Sequence, residues 1–270
     1  MEIIKKIFDL NKAINSFKDF GFVPTMGGIH KGHISLIKNS QKKCKKTIVS
    51  IFINPTQFNS KNDYKNYPRN IIKDIKLLKK MKVDFVFIPK TKEIYKKKFK
   101  TIKINKSDKI LCAAYRKGHF EGVLNVMNRL LYLIRAKNIF MGEKDFQQLF
   151  LIKKYLSKKY NTKIISCKTI RDKNHVALST RNELLTKINY SKLVKIVKQF
   201  KQLKKKLILK KKFIKSINNK LINNIEKRYK IRIDYLEIRD EKNLKTCIKN
   251  SKFRIFTAFW INNIRLIDNY

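Results

Sequence analysis

Two histidines bracket a lysine and a glycine in His30-Lys31-Gly32-His33. An apolar run stopped by proline, Phe22-Val23-Pro24, leads through Thr25 and Met26 into Gly27-Gly28-Ile29 just before them. Ile34, Leu36 and Ile37 follow, with polar residues between. That order predicts a strand, a glycine turn and a helix. Such a turn leaves backbone N–H groups at a helix N-terminus, which suits a phosphate chain. The spacing is neither the Walker loop nor the dinucleotide fingerprint. Taken alone, the segment also fits a tight turn carrying two solvent-exposed histidines.

Asn54-Pro55-Thr56-Gln57-Phe58 closes the β-branched run 47–54, and Gly142-Glu143-Lys144-Asp145 follows the run 137–141. In open α/β sheets ligands sit outside the carboxyl ends of the strands, so polar groups there are candidates for substrate contact. By position alone, Gln57 reads as a solvated loop residue rather than a substrate contact. Among 66 basic residues, Lys144 and Arg181 taken singly read as solvated surface, and only a motif around them would assign their charge to phosphate oxygens, Arg bidentately and Lys as a point charge.

The elements that must position these groups follow from periodicity. Apolar Ile4, Ile7, Phe8 and Ile14 predict a short helix within residues 1–20. Helices are expected over 33–45, after Pro68 with Ile71, Ile75 and Leu78 on one face, over 118–135 and over 146–160. Strands are expected at 22–25, 47–54, 83–88, 137–141 and 163–170, with a further short one at 101–104. Strand and helix alternate to about residue 170, which argues a parallel, doubly wound sheet. Beyond it, Leu193, Ile196, Val197, Phe200, Leu203 and Leu207 mark a long helix, and a second is expected over 213–229. Strands at 231–238, 253–260 and 264–267 complete a smaller α+β domain. The division expected is 1–170 and 171–270. The runs Lys204-Lys205-Lys206 and Lys210-Lys211-Lys212 read as solvated helix faces and a turn.

The chain has 270 residues with 66 Lys and Arg against 19 Asp and Glu, a formal charge of +47. That charge is spread through helices and loops alike and travels with abundant Asn and Ile, a mix that AT-rich codons favour. A specific nucleic-acid partner is not expected, because no basic face and no aromatic–basic RNA motif stands out. Cys44, Cys112, Cys167 and Cys247 lie far apart and lack metal-ligand spacing, so reduced thiols are expected and a structural zinc is not. No apolar run is long enough to span a bilayer. No secretory leader is visible at the start of the sequence.

The His-x-Gly-His segment resembles the nucleotide-binding signature of adenylyl-transferring enzymes on a Rossmann-like fold. Four segments in order narrow this: 24–33, 50–58 with Tyr67-Pro68-Arg69, 118–149 (with Gly118-His119-Phe120-Glu121-Gly122-Val123 and Gly142-Glu143-Lys144-Asp145-Phe146-Gln147-Gln148-Leu149), and 169–182. Together they resemble the pantothenate synthetase family. The resemblance implies a Rossmann-like nucleotide- and pantoate-binding domain followed by a C-terminal α+β lid domain. It implies a ligase that joins pantoate to β-alanine using ATP and Mg²⁺, through a pantoyl adenylate, as a cytoplasmic homodimer without a membrane partner. Carried over residue by residue, His33 is the catalytic histidine. Met26, Gly27, Gly28, Ile29, His30, Lys31, Gly32 and His33 hold ATP, as do Gly142, Glu143, Lys144 and Asp145, with Asp145 open to ribose or magnesium. Ile170 touches adenine through its backbone, and Leu178, Ser179, Thr180 and Arg181 form a second nucleotide loop. Gln57 and Gln148 bind pantoate, and Gln57 also faces β-alanine. His119 and His175 are given structural or solvent roles.

The chain departs from the family pattern at four places. Thr180 stands where a serine is usual, Asn174-His175 replaces a usual Asp-Gly, Asn125 replaces a frequent threonine, and Ala136-Lys137 replaces a common Pro-Asp. The second of these leaves the path of the turn open.

Overall fold

The computed structural model describes residues 1–15, 17, 19–95, 99–209, 216–247 and 251–270. The chain divides into two compact units, Met1–Ile170 and Arg171–Tyr270.

In the first unit the order is β1 (Glu2–Ile4), α1 (Ile7–Ile14), β2 (Phe20–Thr25), α2 (Lys31–Lys43), β3 (Lys46–Ile51), α3 (Lys61–Lys65), α4 (Ile71–Lys80), β4 (Phe85–Phe87), α5 (Thr91–Tyr95), α6 (Cys112–Tyr115), α7 (His119–Ile134), β5 (Asn138–Gly142), α8 (Phe146–Leu156) and β6 (Lys163–Cys167). The six strands form one sheet in the order β1-β4-β3-β2-β5-β6, and every pairing is parallel. The doubly wound fold expected from the alternation is therefore present. Adjacent residues Phe22 and Val23 are both fully buried. This is the mark of a strand covered on its two faces, and it explains why β2 and β3 read as unbroken apolar runs. Val23, Ile37, Val49, Leu78, Val86 and Phe140 belong to one core cluster.

Two expectations in this unit need correction. The first residues do not all join a helix: Glu2–Ile4 pair with Phe85–Phe87 as the edge strand β1. Residues 101–104 form no strand. The Ile102 amide, which a strand would give to a neighbouring backbone, donates instead to Asn125 Oδ1 at 2.7 Å. Asn125 thus has work that a threonine, with its shorter side chain, would do differently.

The second unit carries α9 (Lys187–Leu209), α10 (Asn219–Tyr229) and an antiparallel sheet β7 (Arg232–Asp240), β8 (Phe253–Ile261) and β9 (Ile264–Asn269). Leu193, Ile196, Val197 and Phe200 recur on one face of α9 and pack with Leu236, Ile255, Phe259 and Leu266. The expected helix over 213–229 begins at Asn219, where the Asn218 side chain caps it by accepting from the Lys220 amide. Its first expected residues, 213–215, and the run Lys210-Lys211-Lys212 lie outside the described residues.

Candidate active site

The chain order reverses at β2. From β2 the sheet grows through β3 and β4 to one side, then through β5 and β6 to the other. A crevice forms at the carboxyl ends of strands at such a reversal. The segments after β3, β2 and β5, three neighbouring strands, are the ones that carry Gln57, His30–His33 and Lys144.

The turn after β2 is built on glycine. Gly27 and Gly28 have φ of +83° and +61°, the left-handed region that side chains with a Cβ avoid. The turn is locked by a residue far away in sequence. Asp74, buried in the first turn of α4, accepts the Gly28 amide through Oδ2 and the Ile29 amide through Oδ1, each at 2.8 Å. The Gly27 amide goes to Thr25 Oγ1 at 3.2 Å, and Thr25 Oγ1 donates to the Ser50 carbonyl at 2.7 Å. Of the amides that the turn is expected to offer to phosphates, those of Gly27, Gly28 and Ile29 thus have partners within the protein.

The rings of His30 and His33 cap α2 reciprocally. The Gly32 amide donates to His30 Nδ1 at 3.0 Å, and the His30 amide lies 3.4 Å from His33 Nδ1. Both Nδ1 atoms are acceptors, so in a neutral ring the proton sits on Nε2. The rings are neutral. Burial, then the Lys144 charge, lowers His30 to about 4 against a weaker opposing pull from Asp145. Burial, then His30, then Lys144 lowers His33 to about 3. The ring centroids are 4.1 Å apart. His33 therefore offers an uncharged Nε2–H donor. Lys31 is the exposed member of the motif, and Met26 is half-buried.

The turn after β3 meets this one. Asn54 is 1% exposed, and its Oδ1 accepts from the Thr56 amide, the Thr56 hydroxyl and the Tyr95 hydroxyl. Its Nδ2 donates to the Gly122 carbonyl at 3.1 Å. A short 3₁₀ turn, Pro55–Gln57, results, and the Gln57 side-chain amide reaches the Met26 sulfur. α7 presses on this turn so closely that a Cβ on Gly122 would lie 2.3 Å from the Thr56 carbonyl oxygen. Only glycine fits.

Gly142 ends β5, and Glu143–Asp145 form one 3₁₀ turn. The Glu143 carboxylate accepts from the Ser166 hydroxyl at 2.7 Å. Lys144 Nζ lies 3.4 Å from Asp145 Oδ1, with the Asp145 side chain 48% exposed. Gln148 stands half-buried in the first turn of α8, and Ile170 follows β6 as the last residue of the unit.

In the second unit, Leu178 leads into Ser179, whose hydroxyl accepts from the Arg181 amide at 3.4 Å; Thr180 is buried and Arg181 half-buried. The turn before it, left open above, keeps a left-handed position without glycine: His175 has φ of +65°. Asp172 compensates by accepting the Asn174 and Val176 amides at 2.8 and 3.0 Å through Oδ1.

Asn54, legible in the sequence as a polar residue at a strand's carboxyl end before Pro55, supports the Gln57 turn. Asp74 and Tyr95 support the two turns and were not singled out from sequence, and for Asp74 no local signal exists, because its partners are 45 and 46 residues away.

The chain matches the sequence profile described as Pantoate-beta-alanine ligase over residues 2–270. It belongs to the pantoate–β-alanine ligase family. Relatives named pantothenate synthetase from Flavobacterium psychrophilum and Endomicrobium trichonymphae are 37% and 39% identical, over all of this chain and 99% and 97% of theirs. Among solved structures, the pantoate–β-alanine ligase of Francisella tularensis, complexed with β-γ ATP and β-alanine, is 37% identical with a TM-score of 0.85. The match covers 100% of this chain and 97% of that one. The pantothenate synthetase of Thermus thermophilus is 28% identical with a TM-score of 0.91, covering 100% and 99%. In this family member no described helix is long and apolar enough to cross a membrane, and the four cysteines are buried and form no disulfide.

Proposed function

We propose that the chain condenses pantoate with β-alanine using ATP, giving pantothenate, AMP and pyrophosphate through a pantoyl adenylate. The observation that carries this is the meeting of the His30–His33 turn with the Gln57 turn beside Lys144, in a chain that matches the ligase family from end to end.

The first step brings two anions together, a carboxylate and the α-phosphate, so catalysis is chiefly positioning and charge neutralisation. In this reading Met26–His33 and Gly142–Asp145 hold the nucleotide, and Ile170 meets the adenine. The Leu178–Arg181 turn is a further nucleotide contact by its motif. His33, uncharged with its proton on Nε2, acts as a hydrogen-bond donor to the charge that develops on phosphate oxygens. A ring with a pKa of about 3 is not a ready general acid in the free protein. Gln57 and Gln148 grip the hydroxyl and carboxylate groups of pantoate, and Gln57 also faces the incoming amine. Amides suit that task because they add no competing nucleophile. In the second step the amine of β-alanine attacks the acyl carbon, and AMP leaves with the bonding electrons.

Mg²⁺ is bound by one or two carboxylates together with substrate phosphates rather than by a protein cage. Asp145 suits that mode, offering a half-exposed carboxylate beside Lys144. The ion would neutralise phosphate charge, with Asp145 holding it directly or through water. A homodimer and a cytoplasmic location rest on the family alone.

Isotope exchange tests the order of events. With labelled pyrophosphate, ATP, Mg²⁺ and pantoate but no β-alanine, label should enter ATP, because the mixed anhydride is held and can be reversed. Exchange should fall together in Lys144→Ala and Arg181→Ala. Exchange that requires β-alanine, or ADP as product, rules the adenylate route out.

A further inference from the structure

The backbone of Gln57 is gripped from the end of α6 and the start of α7 by a pair of side chains with complementary protons. The Gln57 carbonyl lies 2.6 Å from His119 Nδ1 and accepts from Arg116 Nη2 at 3.2 Å. His119 Nε2 lies 3.0 Å from Arg116 Nη1. A carbonyl can only accept, so Nδ1 carries the hydrogen; a guanidinium can only donate, so Nε2 offers its lone pair. His119 is thereby fixed as a neutral ring in the tautomer opposite to that of His30 and His33. Arg116 is itself held, its Nε donating to Asn59 Oδ1 at 3.1 Å. Within the 3₁₀ turn the Phe58 amide goes to the Pro55 carbonyl and not to that of Gln57, and one ordinary donor from outside would satisfy Gln57. Here two donors converge on it, and one of them is charged.

We propose that Arg116 and His119 are positioning residues that set where the Gln57 side chain stands against the substrate acid. This rests on the reading above, in which Gln57 holds pantoate. A displacement of about 1 Å at such a group is enough to cost a large factor in productive binding. Because the grip is on the Gln57 backbone and not on the glycine turn, its loss is read in the use of pantoate and not in that of ATP.

Two isosteres separate positioning from bulk packing. In His119→Asn the side-chain nitrogen stands where Nδ1 stood and can still donate to the Gln57 carbonyl. In His119→Gln the nitrogen stands where Nε2 stood and faces the guanidinium. Steady-state kinetics should show the KM for pantoate raised about tenfold or more in His119→Gln, with kcat and the KM for ATP within about twofold of wild type. His119→Asn should lie near wild type in all three. Arg116→Lys keeps the charge but loses the fork, and should show the same split if His119→Gln does not fold. In the wild type, imidazole ¹⁵N shifts should report Nδ1–H at His119. Equal damage in the Asn and Gln variants, a matching rise in the KM for ATP, an unchanged His119→Gln enzyme, or an Nε2–H ring at His119 overturns the proposal. A wild-type protein that makes no pantothenate overturns the parent reading and this one with it.

Discussion

Replacing His33 with alanine is expected to slow adenylate formation by on the order of a hundredfold or more while leaving the protein folded. The ring's Nδ1 receives only a long, 3.4 Å bond from the His30 amide, so the cap of α2 loses little. In the proposed mechanism its Nε2–H is the part that meets the developing charge. A fixed, uncharged donor in a partly dry site stabilises developing negative charge without having to reorganise, and water filling the alanine hollow cannot match it. A single-turnover adenylation assay on purified protein, alongside a thermal melt, separates the two contributions. Wild-type rates in the variant would remove His33 from the mechanism. A collapsed melt would make its role one of folding.

Asp74→Asn should have the second largest effect, and it should act on both stability and nucleotide use. The replacement keeps the shape but turns one acceptor into an NH₂ group that must face a backbone N–H. The Gly28 and Ile29 amides then compete for one oxygen, and a buried donor left unsatisfied costs about 1–3 kcal/mol. The glycine turn should loosen, with the KM for ATP rising roughly tenfold. Urea unfolding should show a lower midpoint at an unchanged slope. An unaltered midpoint together with an unaltered KM for ATP would mean that the turn holds its shape without the carboxylate.

The difference between Asp74 and His33 marks how far local pattern reaches. The glycines, the histidine spacing and the apolar runs on either side are contiguous, so β2, its turn and α2 were readable as one unit. The same holds for the strand ends at Asn54 and Gly142, and for the face of α9. What escaped depends on partners distant in sequence. Nothing near Asp74 says that it will accept two amides from residues 28 and 29. His119 looked like a structural or solvent residue because its partners, the Gln57 carbonyl and Arg116, become visible only when α7 meets the turn after β3. The edge strand β1 was missed for a different reason. Three residues cannot display alternation, and Ile4 extends the helical spacing of Ile7 and Phe8. The expected strand at 101–104 failed because a side chain, Asn125, satisfies the backbone that a neighbouring strand would have paired. The left-handed His175 shows that a turn's path can survive the loss of its usual glycine when an aspartate beside it holds the amides.

In the reading proposed above, the two neutral histidines at the head of α2 should make nucleotide binding a proton-linked event. Burial and Lys144 hold their rings uncharged in the free protein. A triphosphate brought against them supplies the opposite field and raises both pKa values. The complex therefore carries more protons than its separated parts, and by linkage affinity for ATP should strengthen as the solution is made more acidic. Calorimetric titrations in buffers with different heats of ionisation make this visible. The apparent enthalpy should vary with the buffer's heat, its slope giving the protons absorbed. That slope should grow as pH is lowered from about 7 towards about 5.5, as the raised pKa values come into range. A His30→Gln/His33→Gln double variant should keep only the slope contributed by ATP itself. The same slope in both proteins would mean that the histidines stay neutral throughout the cycle.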